Sequence, residues 1–166
     1  MEKELTYKLV KSEENIKAFG ELADKIWHEY FPCILEKEQI DYMVDMFFSH
    51  KAMTDSINDG YEFYFVKLGE ENIGFIAIHP EEEKLFLSKL YLAKNHRGKG
   101  YASKMMNFVK ERTVKKGLSK IYLTVNKYNT HTIDVYKHHG FIVIKSAKFD
   151  IGKGYIMDDY VMELSL

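Results

Sequence analysis

The chain has 166 residues, 46% hydrophobic and 30% charged, an ordinary composition for a soluble globular protein and a length that fits one compact domain over residues 1–166. Its formal net charge of -1 gives no overall basic field for nucleic acid or an anionic membrane surface, so neither is expected as a partner. One cysteine, Cys33, rules out an intrachain disulfide, Met1-Glu2-Lys3-Glu4 carries no signal-peptide apolar region, and no apolar run reaches the roughly 18 residues that cross a bilayer; a cytoplasmic protein is expected.

Residues 5–10 suit a short first strand. Ser12 is a helix N-cap with Glu13 and Glu14 in the first turn. Ile16, Phe19, Leu22, Ala23, Ile26, Trp27 and Tyr30 then follow at helical spacing until Pro32. A second helix runs from about Glu36 through Phe48, and helical character continues or restarts through Ile57 before Asp59-Gly60. Tyr61–Leu68 and Ile73–His79 are aromatic and β-branched runs around a Gly69–Asn72 turn, an antiparallel hairpin. After Pro80 and three glutamates, Leu85–Leu92 is a third strand of this meander. A polar loop over Ala93–Gly100 leads to a helix marked by Ala102, Met105, Met106, Val109 and Thr113, stopped at Gly117. Ile121–Val125 is a short strand. Asn129 or Thr130 caps a helix that Gly140 closes, and strands over Phe141–Phe149 and Tyr155–Leu164 flank Gly152-Lys153-Gly154. This order predicts an α/β (α+β) protein with a mixed, mostly antiparallel central sheet of about seven strands flanked by helices.

The loop Asn95-His96-Arg97-Gly98-Lys99-Gly100-Tyr101-Ala102 lies between a strand and a helix start. A helix N-terminus leaves backbone N–H groups without partners, and its dipole favours an anion. Glycines at 98 and 100 let backbone approach a phosphate, and Arg97 and Lys99 add positive charge. A phosphate or pyrophosphate site is expected, with a plain strand-to-helix turn as the alternative. The Gly-Lys-Ser/Thr ending of a Walker loop is missing. The Rossmann fingerprint also fails, because the next strand ends at Val125-Asn126 without an acid.

The segment resembles the acyl-CoA pyrophosphate loop of the GNAT superfamily of N-acetyltransferases, Arg/Gln-x-x-Gly-x-Gly/Ala, with Arg97, Gly100 and Ala102 at its fixed positions and Gly98 matching a common variant. Leu87–Leu92 is similar to that family's fourth strand, which splays from the fifth at a bulge. Asn129 and Tyr136-Lys137-His138-His139-Gly140-Phe141 resemble its Asn…Tyr-x-x-x-Gly-Phe block. The three motifs cover about residues 61–145. The resemblance implies the family's acyl-CoA N-acyltransferase fold and acetyl-CoA as cosubstrate, with no metal and no covalent enzyme intermediate. The acceptor it implies is a primary amine of a small molecule or peptide. It further implies donor binding by the backbone of Leu90, Tyr91 and Leu92, by the loop residues Arg97, Gly98, Lys99, Gly100, Tyr101, Ala102 and Ser103, and by Asn129. Tyr136 is implied as general acid, and a homodimer is a frequent assembly in such proteins. A non-catalytic acyl-CoA-binding module is the rival reading, and Tyr136 argues against it.

Acyl transfer to an amine also needs a proton acceptor, because an alkylammonium has a pKa of about 10.4. Candidates are His28, Glu29, Glu83, Asp158 and Asp159. Ser88 and Lys89 stand where some members of the resembled family carry an acid, which favours a water relay. Asn129 is equally readable as a plain N-cap and Tyr136 as a packed tyrosine. Trp27–Phe31 is readable as core or as an acceptor pocket. Asp158 and Asp159, on an edge or final strand, hint at a cationic acceptor. Cys33 has no partners that would make it a nucleophile, and His138-His139 is expected as a surface pair.

Overall fold

The computed structural model describes residues 4–166. Seven strands, β1 (Leu5–Leu9), β2 (Glu62–Leu68), β3 (Glu71–Pro80), β4 (Leu85–Leu92), β5 (Lys120–Asn126), β6 (Ile142–Gly152) and β7 (Tyr155–Ser165), form one sheet in the order β1-β2-β3-β4-β5-β7-β6. Every neighbouring pair is antiparallel except β4 with β5. The helices are α1 (Glu13–Tyr30), α2 (Lys37–Phe48), α3 (His50–Asn58), α4 (Tyr101–Lys115) and α5 (Thr130–His138), with a 3-10 turn at Lys94–His96.

Both faces of the central strands are apolar because both are covered. In β2, Phe63 and Phe65 point to one face and Tyr64 and Val66 to the other; in β3, Phe75 and Ala77 alternate with Ile76 and Ile78. The Phe63, Phe65 and Phe75 face packs on α1, α2 and α3 through Phe19, Ile26, Trp27, Ile40, Met43 and Met53. The opposite face packs on α4 and α5 through Met105, Met106, Val109, Ile133 and Tyr136. β6 is the outer strand and carries exposed Ile142, Val143, Ile144 and Phe149. No helix among the described residues is long and apolar enough to cross a membrane.

The predicted helix ends hold. Ser12 Oγ accepts the Asn15 N–H at 3.1 Å and opens α1. The helical segment through Ile57 restarts rather than continues: Ser49 is extended, ends α2, and its Oγ accepts from Ala52 N at 3.2 Å to open α3. A serine in an otherwise helical run offers the backbone a local partner, and here that partner sets a corner.

Candidate active site

The site begins with a register change. Ala77 of β3 pairs with Lys89 and the next residue, Ile78, with Leu87, so Ser88 is an extra residue in β4. Such a bulge bends its strand and increases the local twist. On its other side β4 pairs with β5 only at Leu85 with Ile121 and Phe86 with Tyr122. Beyond Phe86 the two parallel strands part, one residue before the bulge region opens. Between them lies a cavity of about 530 Å³, lined from β4 by Ser88, Lys89, Leu90 and Tyr91 and from β5 by Thr124, Val125 and Asn126. α1, α2, α5 and β7 close its remaining sides through Tyr30, Phe47, Tyr136 and Asp159.

Close approach fixes β4 in this bent position. A Cβ on Gly74 of β3 would stand 2.5 Å from the Tyr91 carbonyl oxygen, so only glycine lets the strands meet there. The Tyr91 ring sits in an aromatic nest, with ring centroids of Trp27, Tyr30 and Phe75 at 5.5, 5.2 and 5.4 Å. Leu90 points the other way, onto the α4 face, and Leu92 is buried there.

The glycine loop follows directly. Gly98 and Gly100 have φ of +75° and +83°, left-handed values that favour glycine, and the space where their Cβ atoms would lie is open. Gly100 is the N-cap of α4, whose first turn holds no acid, so the N–H groups at Tyr101, Ala102 and Ser103 begin the helix unopposed by negative charge. Lys99 and Ser103 are exposed; Tyr101 and Ala102 are half-buried and pack on the core. Arg97 brings its positive charge in against the end of β4. Its Nε donates to the Leu92 carbonyl at 3.0 Å and its guanidinium lies 5.0 Å from the Tyr30 ring centroid. It therefore ties the loop to the end of β4, and its Nη2 is buried without a partner.

Asn129 stands at the N-cap of α5 but makes no side-chain cap bond. Its Nδ2 donates instead to Tyr30 Oη at 2.6 Å, and that hydroxyl also meets Thr132 Oγ1 at 2.5 Å. This link across the cavity replaces the plain capping role. Tyr136, on the inner face of α5, is 9% exposed and its ring packs 5.6 Å from Phe141. Burial, with a smaller contribution from Tyr30, raises its pKa further above the ordinary phenol value. It holds its proton throughout the neutral range.

Of the five candidate bases, one lines the cavity. Asp158 and Asp159 are neighbours on a strand and so point to opposite faces. Asp158 pairs with Lys127 Nζ at 2.9 Å; Asp159 is 1% exposed, lines the cavity, and has an Oδ1 with no hydrogen-bond partner. Their strand is the final one in the chain but not the sheet edge, since β7 lies between β5 and β6. Burial, then the nearby Asp158 charge, pushes the Asp159 carboxyl up to about 6, partly offset by Lys127. Glu29 and Glu83 are exposed and away from the cavity. His28 joins α1 to α2 on the outer surface, with Nδ1 2.8 Å from the Asp24 carbonyl and Nε2 2.5 Å from Asp41 Oδ1. Trp27, Tyr30 and Phe31 are both core and cavity wall. Cys33 is exposed and free. Among the described residues no group of three or more His, Cys, Asp or Glu side chains is arranged to hold a metal. Thr132 and the contact of Tyr30 with Asn129 escaped sequence reasoning. The partners are 99 residues apart, and no local pattern signals the contact.

Comparison with known proteins bears on this arrangement. The chain resembles in fold the PaiA N-acetyltransferase of Thermoplasma acidophilum in complex with coenzyme A, at 21% identity over 98% of this chain and 99% of that one, with a TM-score of 0.81. It also resembles the ribosomal-protein-S18-alanine N-acetyltransferase of Escherichia coli at 12% identity, covering 98% and 94% of the two chains, TM-score 0.73. A third structure, a GNAT family acetyltransferase from Elizabethkingia anophelis with acetyl-CoA bound, matches at 17% identity over 70% and 83%, TM-score 0.59. No curated protein sequence matches the chain significantly. The sequence profile of the Acetyltransferase (GNAT) family matches residues 21–141, which takes in the later part of α1, the β2–β4 meander, the glycine loop and α5, and the chain belongs to that family of acyltransferases.

Proposed function

We propose that residues 1–166 act as a single acetyltransferase domain that moves an acetyl group from acetyl-CoA directly to a primary amine of a small molecule or peptide. The observation that carries this reading is the pairing in one cavity of a protonated phenol, Tyr136, with a buried carboxyl of pKa about 6, Asp159. Two groups whose environments leave one protonated and the other ionised at neutral pH are suited to act as acid and base.

Two features of this chain fit the donor. The buried Arg97 Nη2 lacks an acceptor, and the open approach to Gly98 and Gly100 leaves room for an anion over the start of α4. In this reading the backbone N–H groups of residues 98–103 and the positive end of α4 hold the pyrophosphate, with Lys99 and Ser103 at its exposed side. The unpaired β4 edge at Leu90, Tyr91 and Leu92 holds the pantetheine arm and polarises the acyl carbonyl. Asn129 orders Tyr30 beside that arm.

When bound, acetyl-CoA supplies the acyl group as a thioester with sulfur as the leaving atom. Tyr136 Oη holds the proton for that sulfur, in a hydrogen bond that strengthens as charge develops. Asp159 takes the proton that the acceptor ammonium gives up. The aromatic walls of the cavity exclude water, which limits hydrolysis.

The test is thermal stabilisation by acetyl-CoA, CoA, NAD and ATP, followed by thiol release with an amine panel. Stabilisation by the CoA species and amine-dependent thiol release are expected. A shift with NAD or ATP and none with CoA species contradicts the reading.

A further inference from the structure

The acceptor side of the cavity contains a cation that has no counter-charge. Lys89 follows the bulge residue Ser88 in a strand that is otherwise apolar from Leu85 to Leu92. Its side chain turns towards α2, where Nζ lies 4.5 Å from the centre of the Phe47 ring and 2.8 Å from Ser88 Oγ. Among the described residues no carboxylate lies within ion-pair distance of it. Three other half-buried lysines are matched by carboxylates: Lys84 meets Glu163 at 2.5 Å, Lys116 meets Glu62 at 2.6 Å and Lys127 meets Asp158 at 2.9 Å; Lys67 meets the Asn72 side-chain oxygen at 2.9 Å, and Lys110, which lines no part of this cavity, has no ion pair among the described residues. The cavity lining is rich in apolar side chains such as Met43, Phe149, Ile151 and Met157, and Asp159 is its one carboxylate among the described residues.

Lys89 is half-buried, and a partly desolvated charge without a partner is costly. Burial alone pushes the Lys89 ammonium down to about 8, a shift that an opposite charge placed beside it would reverse. Asp159 lines the same cavity but does not offset that shift, and Lys89 does not lower the Asp159 carboxyl. The two groups are separate poles of one apolar space and not a pair.

This inference rests on the acetyl-transfer reading above. We infer that the acceptor is a zwitterion-type amine: its amino group faces Asp159, an apolar body fills the cavity, and an anionic oxygen group, carboxylate or phosphate, is received by Lys89 and the Ser88 hydroxyl. Lys89 is a specificity-determining residue in this account. A polycationic amine would bring a second ammonium against Lys89 and is disfavoured, which reverses the hint taken from Asp158 and Asp159 together.

Four acceptors of similar body test it: 4-(2-aminoethyl)benzoate, tyramine O-phosphate, 2-phenylethylamine and p-xylylenediamine. Each is assayed for acetyl-CoA-dependent product with wild type, Lys89→Met and Lys89→Arg, and acetyl-CoA affinity reports the state of the donor site. Wild type should favour one of the two anionic amines over 2-phenylethylamine by ~10-fold or more in kcat/KM, mainly through KM, with the diamine poorest. Which anionic amine leads identifies the group as carboxylate or phosphate. The preference should collapse towards unity in Lys89→Met and return in part in Lys89→Arg. No anion preference in wild type, or a preference unchanged in Lys89→Met, overturns the inference and leaves acetyl transfer standing. An equal fall for charged and uncharged amines in Lys89→Met also overturns it, since that marks Lys89 as a proton acceptor. Turnover of none of the four with acetyl-CoA bound counts against the inference alone, whereas failure to bind acetyl-CoA removes the reading beneath it as well.

Discussion

Burial raises the pKa of both Tyr136 and Asp159, yet it leaves them in different proton states at neutral pH because they start about 6 units apart. The consequences are measurable for each residue. With Asp159 as base, the reacting forms are ionised Asp159 and the acceptor ammonium, so kcat/KM should rise through about pH 6 and then level. In Asp159→Asn the amine must lose its proton unaided, and the rise should move towards the pKa of the amine itself; an unmoved profile removes Asp159 from the role. The same substitution should stabilise the fold. A carboxyl whose folded pKa lies above its unfolded value favours folding only at low pH, and that contribution is lost as pH rises from about 4 through about 6. Asp159→Asn should therefore match wild type near pH 4 and exceed it by up to about 3 kcal/mol at pH 8, measured by urea unfolding. Tyr136→Phe keeps the packing on Phe141 and loses the proton, so kcat should fall by about 10- to 100-fold with acetyl-CoA affinity little changed. The adjacent acids at 158 and 159 could have been separated in the sequence, because neighbours on a strand face opposite ways, and Lys89 stands out as a cation in an apolar strand. Which acid turns inward depends on the β5–β7 register, which the chain alone does not display.

Between elements, the decisive feature is the parting of β4 from β5 after Phe86 and Tyr122. The strands, the α1 start and the ends of α4 and α5 were legible because hydrophobic period, Ser12, Gly117 and Gly140 punctuate them. The restart of α3 at Ser49 and the inward turn of Arg97 were not, since each depends on a local hydrogen bond that competes with an equally plausible one. The Asn129–Tyr30 bond joins segments 99 residues apart and had no sequence signal. Gly74 supplies a test at this scale. Gly74→Ala places a Cβ 2.5 Å from the Tyr91 carbonyl oxygen, so β4 must shift; a loss of about 1–3 kcal/mol in stability is expected, together with weaker acetyl-CoA binding. Gly100→Val forces a β-branched residue to φ near +83° at the start of α4 and should weaken acetyl-CoA binding; undiminished affinity would undo the loop assignment.

At the scale of the whole molecule, one sheet separates two hydrophobic layers, and the cavity passes between them where the sheet opens. The α1–α2 layer forms one wall of that cavity, and His28 straps those helices together. Burial lowers the His28 pKa, but the Asp24 carbonyl and the Asp41 carboxylate outweigh it and raise the net value. A raised folded pKa stabilises below the unfolded value of about 6.5 and fades as pH rises through the folded one. His28→Gln should therefore cost about 0.5–1 kcal/mol near pH 6 and progressively less above neutrality. The central claim concerns the cavity as a catalytic space, and the measurement that addresses it most directly is acetylated-amine product formed from acetyl-CoA by wild type and by Tyr136→Phe at saturating donor. The account predicts amine-dependent product with wild type and a kcat reduced by at least ~10-fold in the variant at unchanged donor affinity. Equal turnover by the two proteins would contradict it.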